Sequence, residues 1–317
     1  MIMDRKKIKI GVVGIGHLGN YHLQKYQKLE NCEIISVADT IMDRAQKAAG
    51  IHNCLAFPDY RAMLGQVDAV SIAVPTAEHH KVARDFLAAG VDVLIEKPIC
   101  VTIEEADELI ELARRNNLIL QVGFVERFNP AIMALEKVIE KPLFIEAHRL
   151  HPFFERGTDV DVILDLMIHD LDIILKFVNS PLACVEAVGV PILSDKVDIS
   201  NVRLSFASGC VANVTASRIS SKTMQKIRFF GIEGYHSVDC QKREIVSLGK
   251  RINGSGHLEI IQNSIEVGSH DPLEEEIRSF INAVVSRSQP LISGEDARKS
   301  LELAIDIIKK MKIAEVI

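Results

Sequence analysis

Lysine, histidine and carboxylate side chains are the groups that move protons near neutral pH, and here they stand in two arrangements. Val91-Asp92-Val93-Leu94-Ile95 reads as a buried strand, and Glu96-Lys97-Pro98 follows it directly. A lysine at the carboxyl end of a parallel strand lies where such sheets bind ligands, and Pro98 fixes its own φ and restricts Lys97. Taken alone, the triplet also fits a surface lysine in a turn. The second arrangement runs through Val160–Val178, where Asp161, Asp165, His169, Asp172 and Lys176 recur at steps of 4, 4, 3 and 4 and form one helical stripe. That spacing alone fits a solvated face. The other positions are almost all apolar, so the helix is expected to be largely buried with its stripe facing a cleft. Asp165 stands one turn before His169, where a carboxylate can orient an imidazole serving as a base near its ordinary pKa of about 6.5.

A third signal concerns phosphate rather than protons. Gly14-Ile15-Gly16-His17-Leu18-Gly19 follows an apolar strand and opens a helix, the context that gives a Gly-x-Gly-x-x-Gly run meaning. Gly14 permits the tight turn, Gly16 lets backbone N–H groups approach a pyrophosphate, and Gly19 allows the helix to pack on the strand. Asp39 ends the second strand, where a carboxylate accepts from the ribose hydroxyls of NAD and repels the phosphate of NADP; it also suits a helix N-cap. Thr40 follows it, and Arg44 is near enough to keep NADP open, although NAD is favoured.

Other basic residues are weaker signals. His148 and His151 resemble a metal pair, but residues three apart on a strand point to opposite faces, and no metal is expected. Arg127, Arg149 and Arg156 could supply positive charge to an anionic substrate such as a sugar nucleotide, with ordinary surface arginines as the alternative.

The elements that must position these groups follow from the rhythm of the chain. Strand-like runs at Ile8–Val13, Glu33–Ala38, Cys54–Ala56, Ala69–Val74, Val91–Ile95 and Leu118–Val122 alternate with helical stretches at His17–Lys28, Met42–Ala49, Tyr60–Gly65, Glu78–Ala89 and Ile103–Asn116. The alternation predicts a doubly wound parallel sheet. Thr102-Ile103-Glu104-Glu105 is a capping box. After Gly123 a turn at Asn129-Pro130, a strand near Phe144–Leu150, the long helix and a succession of strands from Val185 to Val267 predict an α+β domain with an open, mostly antiparallel sheet. Val202, Leu204 and Phe206 form one expected core row and Ala212, Val214 and Ala216 another. The expected domains are therefore residues 1–122 for the dinucleotide and 123–317 for substrate binding and oligomerisation, with terminal helices starting at Pro272 and after Gly294.

Composition narrows the class. The chain has 317 residues, 48% apolar and 25% charged, with 37 Lys and Arg against 43 Asp and Glu. That is ordinary globular composition without a like-charge block, so neither a nucleic-acid nor a membrane partner is expected. Six cysteines without a Cys-x-x-Cys read as core residues of a reducing compartment. The N-terminus lacks a signal-peptide pattern and no apolar run approaches membrane-spanning length, so the cytoplasm is the expected location.

Taken together, Gly14-Ile15-Gly16-His17-Leu18-Gly19, Val74-Pro75-Thr76 with His79, Glu96-Lys97-Pro98, Gly123-Phe124-Val125-Glu126-Arg127-Phe128-Asn129-Pro130 and Asp165-Leu166-Met167-Ile168-His169 resemble the Gfo/Idh/MocA family of oxidoreductases over nearly the whole chain. The resemblance implies an N-terminal Rossmann domain, a C-terminal domain whose open sheet makes a homodimer or homotetramer, and NAD or NADP as cofactor. It places the catalytic Lys, Asp and His on Lys97, Asp165 and His169, and sets Val74, Pro75, Thr76, His79 and Glu96 along the nicotinamide side. Many members carry a glycine pair before the Asp-x-x-x-His motif, whereas this chain reads Asp159-Val160-Asp161-Val162-Ile163-Leu164. The stretch from Arg149 to Leu175 is most similar to a bacterial subgroup acting on UDP-N-acetylhexosamines, including UDP-N-acetylglucosamine 3-dehydrogenases. The implied chemistry is oxidation of a secondary sugar alcohol: His169 takes the hydroxyl proton, protonated Lys97 stabilises the developing alkoxide, and Asp165 orients the base. Two alternatives keep the dinucleotide, namely an NAD-occupancy sensor without turnover, which has no need for Lys97 and the Asp165–His169 pair, and an NAD-retaining enzyme that uses a transient keto-sugar for elimination or glycoside cleavage.

Overall fold

A computed structural model describes residues 7–153, 160–232 and 234–314. The chain divides into two compact units, Met1–Val125 with Asp271–Arg298, and Glu126–His270 with Lys299–Ile317. The division differs from the expected 1–122 and 123–317, because Asp271–Arg298 returns to the first unit.

In the first unit, strands β1 (Ile8–Val13), β2 (Cys32–Ala38), β3 (Leu55–Phe57), β4 (Ala69–Ile72), β5 (Asp92–Glu96) and β6 (Leu120–Gly123) form one sheet in the order β3-β2-β1-β4-β5-β6. Every pairing is parallel. Helices α1 (His17–Tyr26), α2 (Met42–His52), α3 (Thr76–Ala88) and α4 (Ile103–Arg115) connect the strands. A parallel sheet is covered on both faces, which is why Ile10–Val13 and Ala69–Ile72 are buried without alternation. The strand order reverses between β1 and β4, so the connections leaving these two strands diverge and open a crevice at their carboxyl ends. The glycine run leaves β1 and Val74-Pro75-Thr76 leaves β4, which puts both at that crevice.

Local chemistry sets the boundaries. Thr102 accepts from the Glu105 N–H and the Glu105 carboxylate returns to the Thr102 N–H, so α4 starts at the expected capping box. Tyr60–Gly65 was expected to be helical but forms only a 3₁₀ turn at Tyr60–Met63, before Gly65 takes a left-handed φ of +77°. The helix Pro272–Ser286 packs Ile277, Phe280, Ile281 and Val284 into the same core as Ile10, Val12, Leu23 and Tyr26. Arg287 then pairs with buried Asp92 at 2.8 Å, and Ser293 bridges to Gln121 beside β6. Periodicity reveals the apolar face of such a helix but not the sheet it covers, so only the structure assigns it to the first unit.

The second unit contains α5 (Pro130–Leu135), β7 (Pro142–Leu150), a π-helical turn at Ile163–Met167, α6 (Ile168–Val178) and the strands β8 (Leu182–Val190), β9 (Ile199–Phe206), β10 (Val211–Ser217), β11 (Met224–Gly231), β12 (Tyr235–Asp239), β13 (Glu244–Ile252) and β14 (Leu258–Asn263). Pro272–Ser286 is α7 in chain order, α8 is Gly294–Lys310, and β15 is Lys312–Ile313. The nine strands run β14-β13-β12-β11-β7-β10-β9-β8-β15, antiparallel except for β7 with β10 and β15 with β8. The expected rows are real: Leu204 faces Ala212, Ala212 faces Ile145, and Ile145 faces Phe229, all buried. Phe177 of α6 lies over this row, its ring centroid 4.7 Å from that of Phe229.

Candidate active site

The glycine run divides its work as its spacing predicts. Gly14 has φ +88°, and a Cβ there would sit 2.5 Å from the Ala73 carbonyl oxygen. A Cβ on Gly19 would overlap the Gly14 carbonyl oxygen, so α1 packs against the loop only because Gly19 lacks a side chain. Gly16, the N-cap of α1, would place its Cβ in open space and caps the helix with no side chain. Free N–H groups at an uncapped helix start, with space in front of them, fit a pyrophosphate. Gly14→Ala is therefore expected to cost about 1–3 kcal/mol of stability through its φ alone. Gly16→Ala is expected to stay within about 1 kcal/mol of the parent while weakening NAD binding at least about tenfold; denaturation and cofactor titration of the two variants check the contrast.

Asp39 is not a helix cap. The N-cap of α2 is Ile41, without a side-chain bond. Instead the Asp39 carboxylate accepts from the Ile15 N–H at 2.7 Å and the Ile41 N–H at 2.8 Å, tying the glycine loop to the end of β2. An ionised carboxylate has about four acceptor sites, so this half-buried group keeps capacity for ribose hydroxyls. Thr40 and Arg44 are exposed beside it, His17 is exposed with its ring edge-on to Tyr21 at 4.6 Å, and Leu18 is half-buried.

At the ends of β4 and β5 the structure refines one role. Val74 and Thr76 are half-buried and Pro75 is exposed, so this loop can face a ligand. His79 was expected to line the nicotinamide side, but it is 1% exposed and acts as a clamp. Its Nδ1 lies 2.8 Å from the Pro98 carbonyl and its Nε2 3.0 Å from the Val74 carbonyl. Burial pushes the imidazole's pKa down, the two carbonyls pull it up, and burial wins. A neutral imidazole donates to one of the two carbonyls, so His79 packs between the loop after β4 and the Lys97-Pro98 segment, whose peptide bond is cis. Lys97 itself is half-buried at the end of β5, and the Glu96 carboxylate turns back to His22, 3.0 Å away.

In the second unit the long helix expected over Val160–Val178 is instead a π turn followed by α6, and the change of winding sorts the stripe. Single π turns recur at functional sites. Asp161 accepts from the Val197 N–H at 3.0 Å and anchors the entry to the turn. Arg218 holds the same entry, pairing with Asp198 at 3.1 Å and donating to the carbonyls of Val160 and Val197. Burial alone would raise the Asp198 carboxyl, but the Ser194 hydroxyl and the N–H groups of Ile192, Leu193 and Ser194 hold it down at about 2. Asp172 points inward to Arg127, 3.4 Å away, and Lys176 is exposed. Asp165 stands in the π turn and His169 in the first turn of α6, both half-buried.

The arginines require a correction. Arg149 is buried and makes two hydrogen bonds to Asp170, at 3.0 and 2.9 Å, and a third to Glu126 at 3.1 Å. Arg127 is buried against Asp172 and near Glu136. Both guanidiniums are neutralised inside the unit, so the reading of them as cations for an anionic substrate gives way to a structural one; Arg156 lies outside the described residues. Reasoning on spacing missed Asp170 because it stands outside the stripe, and missed Arg218 because its partners come from distant segments.

A family model described as an oxidoreductase family with an NAD-binding Rossmann fold matches residues 8–124, and one described as a GFO/IDH/MocA C-terminal domain matches residues 138–236. The UDP-N-acetylglucosamine 3-dehydrogenase of Acidithiobacillus ferrooxidans is 37% identical over 305 residues, covering 95% of this chain and 96% of that protein. The solved structure of the Acidithiobacillus enzyme matches with a TM-score of 0.89 at 36% identity, covering 96% of this chain and 98% of the other. The myo-inositol 2-dehydrogenase of Thermotoga maritima is 25% identical over 339 residues, 98% of this chain and 100% of that protein. A scyllo-inositol dehydrogenase from Lactobacillus casei, solved with NAD(H) and scyllo-inositol, shares the fold with a TM-score of 0.80 at 21% identity, covering 96% and 97%.

Proposed function

Because this chain belongs to the Gfo/Idh/MocA family of NAD-binding oxidoreductases, we propose that it is a dehydrogenase oxidising the C3 hydroxyl of UDP-N-acetylglucosamine. The observation that carries the substrate is the near-full-length likeness to the Acidithiobacillus enzyme, well above the likeness to the inositol dehydrogenase. In this reading Gly14, Gly16, Gly19 and Asp39 hold the dinucleotide, with Val74, Pro75 and Thr76 near its nicotinamide. NAD, when bound, supplies the hydride acceptor. Lys97 donates a hydrogen bond to the reacting oxygen, and its charge stabilises the alkoxide that develops there. His169 takes the hydroxyl proton, and Asp165 orients the imidazole. The second unit binds the sugar nucleotide. Its nine-stranded sheet leaves Leu143, Val188, Val246, Leu258 and Ile260 exposed, which supports a homodimer or homotetramer through that sheet. All six cysteines are free thiols, which supports a cytoplasmic location; among the described residues no helix is long and apolar enough to cross a membrane.

The test is formation of NADH from NAD with UDP-N-acetylglucosamine, UDP-N-acetylgalactosamine, free hexoses and inositols, in the presence of a carbonyl trap. NADH is expected with the UDP-N-acetylhexosamines and above all with the gluco sugar. Signal confined to inositols or free hexoses overturns the substrate, and NAD binding with silence across the panel favours a sensor or an NAD-retaining reaction. Asp39→Ala is expected to raise KM for NAD about tenfold or more, since hydrogen bonds to charged groups contribute about 1.5–3 kcal/mol, and to narrow the preference over NADP. An unchanged ratio of kcat/KM for the two cofactors would remove Asp39 from ribose recognition.

A further inference from the structure

Glu276 stands on the apolar face of α7, among Leu273, Ile277, Phe280 and Val284, where helical periodicity calls for a hydrophobe. It is fully buried, and neither carboxyl oxygen has a hydrogen-bond partner among the described residues. Atoms of His22, Glu96 and Glu276 lie within 4.8 Å of one another. His22 comes from α1, Glu96 from the end of β5 and Glu276 from the segment that returns to the first unit. Tyr26, also on α1, is engaged by Ser71 at 2.7 Å, and Gln121 of β6 donates to the Glu276 backbone carbonyl at 3.0 Å.

Proximity and burial decide where the proton sits. His22 Nε2 and a Glu96 carboxyl oxygen share one hydrogen bond, and His22 Nδ1 has no partner among the described residues. A second naked carboxylate beside Glu96 would be a buried, unpaired like charge, the most costly arrangement available. We propose that Glu276 is a positioning residue for the Lys97 segment: it carries the proton of a buried His22–Glu96–Glu276 cluster, and its neutrality lets Glu96 stay anchored to His22, directly before Lys97. Burial, followed by the charge of Glu96, raises the Glu276 carboxyl well above the ordinary carboxylate range, in agreement with that placement. The proposal rests on the reading of Lys97 as the charged group of the reaction.

The sign of the pH dependence follows. A folded-state pKa raised above the unfolded value gives stability that is fully present below the unfolded pKa and is lost as pH rises through the folded one. Gln cannot ionise, so the thermal midpoint of NAD-saturated Glu276→Gln should gain on the parent as pH rises from about 5 to about 9. The parent's alkaline fall in kcat should begin at lower pH than that of Glu276→Gln. Glu276→Ala should lose at least about tenfold in kcat with KM for NAD little changed, and Glu276→Gln should restore it. In the unsubstituted protein labelled with carboxyl-¹³C glutamate, one glutamate should keep its protonated resonance at neutral pH, whatever the fate of the variants. A pH-independent difference between parent and Glu276→Gln, absence of that resonance, or a stoichiometric divalent metal by elemental analysis would each overturn the proposal. Full activity of a Lys97→Ala variant would instead remove the reading beneath it, leaving the stability profile as it was.

Discussion

Lys97→Ala is expected to lower turnover about 10²- to 10³-fold, the usual cost of removing one preorganised donor from a developing oxyanion, while the Kd for NAD changes less than threefold. The separation follows from where the residue sits. The glycine run, the uncapped start of α1 and Asp39 belong to the β1 and β2 ends, whereas Lys97 belongs to the end of β5, held through the Pro98 carbonyl by His79. Removing the ammonium leaves that backbone clamp intact. Lys97→Arg should recover little, because a planar, delocalised guanidinium replaces neither the position nor the charge density of an ammonium. His169→Ala should cost about 10²- to 10⁴-fold by loss of the general base, and its residual rate should rise with pH as hydroxide takes over proton removal. Single-turnover NADH formation separates these effects from product release. Either variant retaining full activity would exclude its residue from the chemistry.

What was legible in advance follows the range of the interactions involved. Strand β1, the glycine turn and α1 lie within about twenty residues of one another, and steric rules at Gly14 and Gly19 are local, so spacing alone predicts them. The capping box at Thr102 is local in the same way. The mostly antiparallel second sheet was visible because alternation survives in β9 and β10. The π turn was not, because a period near 3.6 describes the whole apolar segment and a single widened turn leaves the composition unchanged. Spacing therefore could not show that Asp161 anchors the entry to the turn and that Asp172 turns inward to Arg127. Charge partners were hidden for a related reason. A carboxylate in sequence carries no mark of whether Arg149, Arg127 or solvent will meet it, and the partners here lie 21 and 45 residues away.

The same distant pairing supplies the largest expected effect on stability. Asp170 follows His169 in α6, is buried, and is met by two N–H groups of Arg149 on β7. Burial raises the Asp170 carboxyl and Arg149, with a smaller pull from His148, brings it back, so removing the arginine takes away most of what offsets its desolvation. Arg149→Met should therefore cost about 3–5 kcal/mol, a large part of the 5–15 kcal/mol by which a domain is typically stable. The pH dependence has a definite sign. With its folded pKa raised further, Asp170 contributes stability below its unfolded pKa and loses it as pH rises through the folded value, so the variant should be weaker at pH about 8 than at pH about 5. Arg149→Met with Asp170→Leu removes both charges and should recover much of the loss. Glu126, which also contacts Arg149, retains Asn129 at 3.2 Å and partial access to water, so it need not follow. Denaturant unfolding of the two variants at both pH values checks the cycle, and a double variant no more stable than the single would show that packing, not charge, holds α6 to β7. Since His169 rides on the first turn of α6, the single variant should also lose turnover at temperatures where it remains folded, and the double variant should regain it.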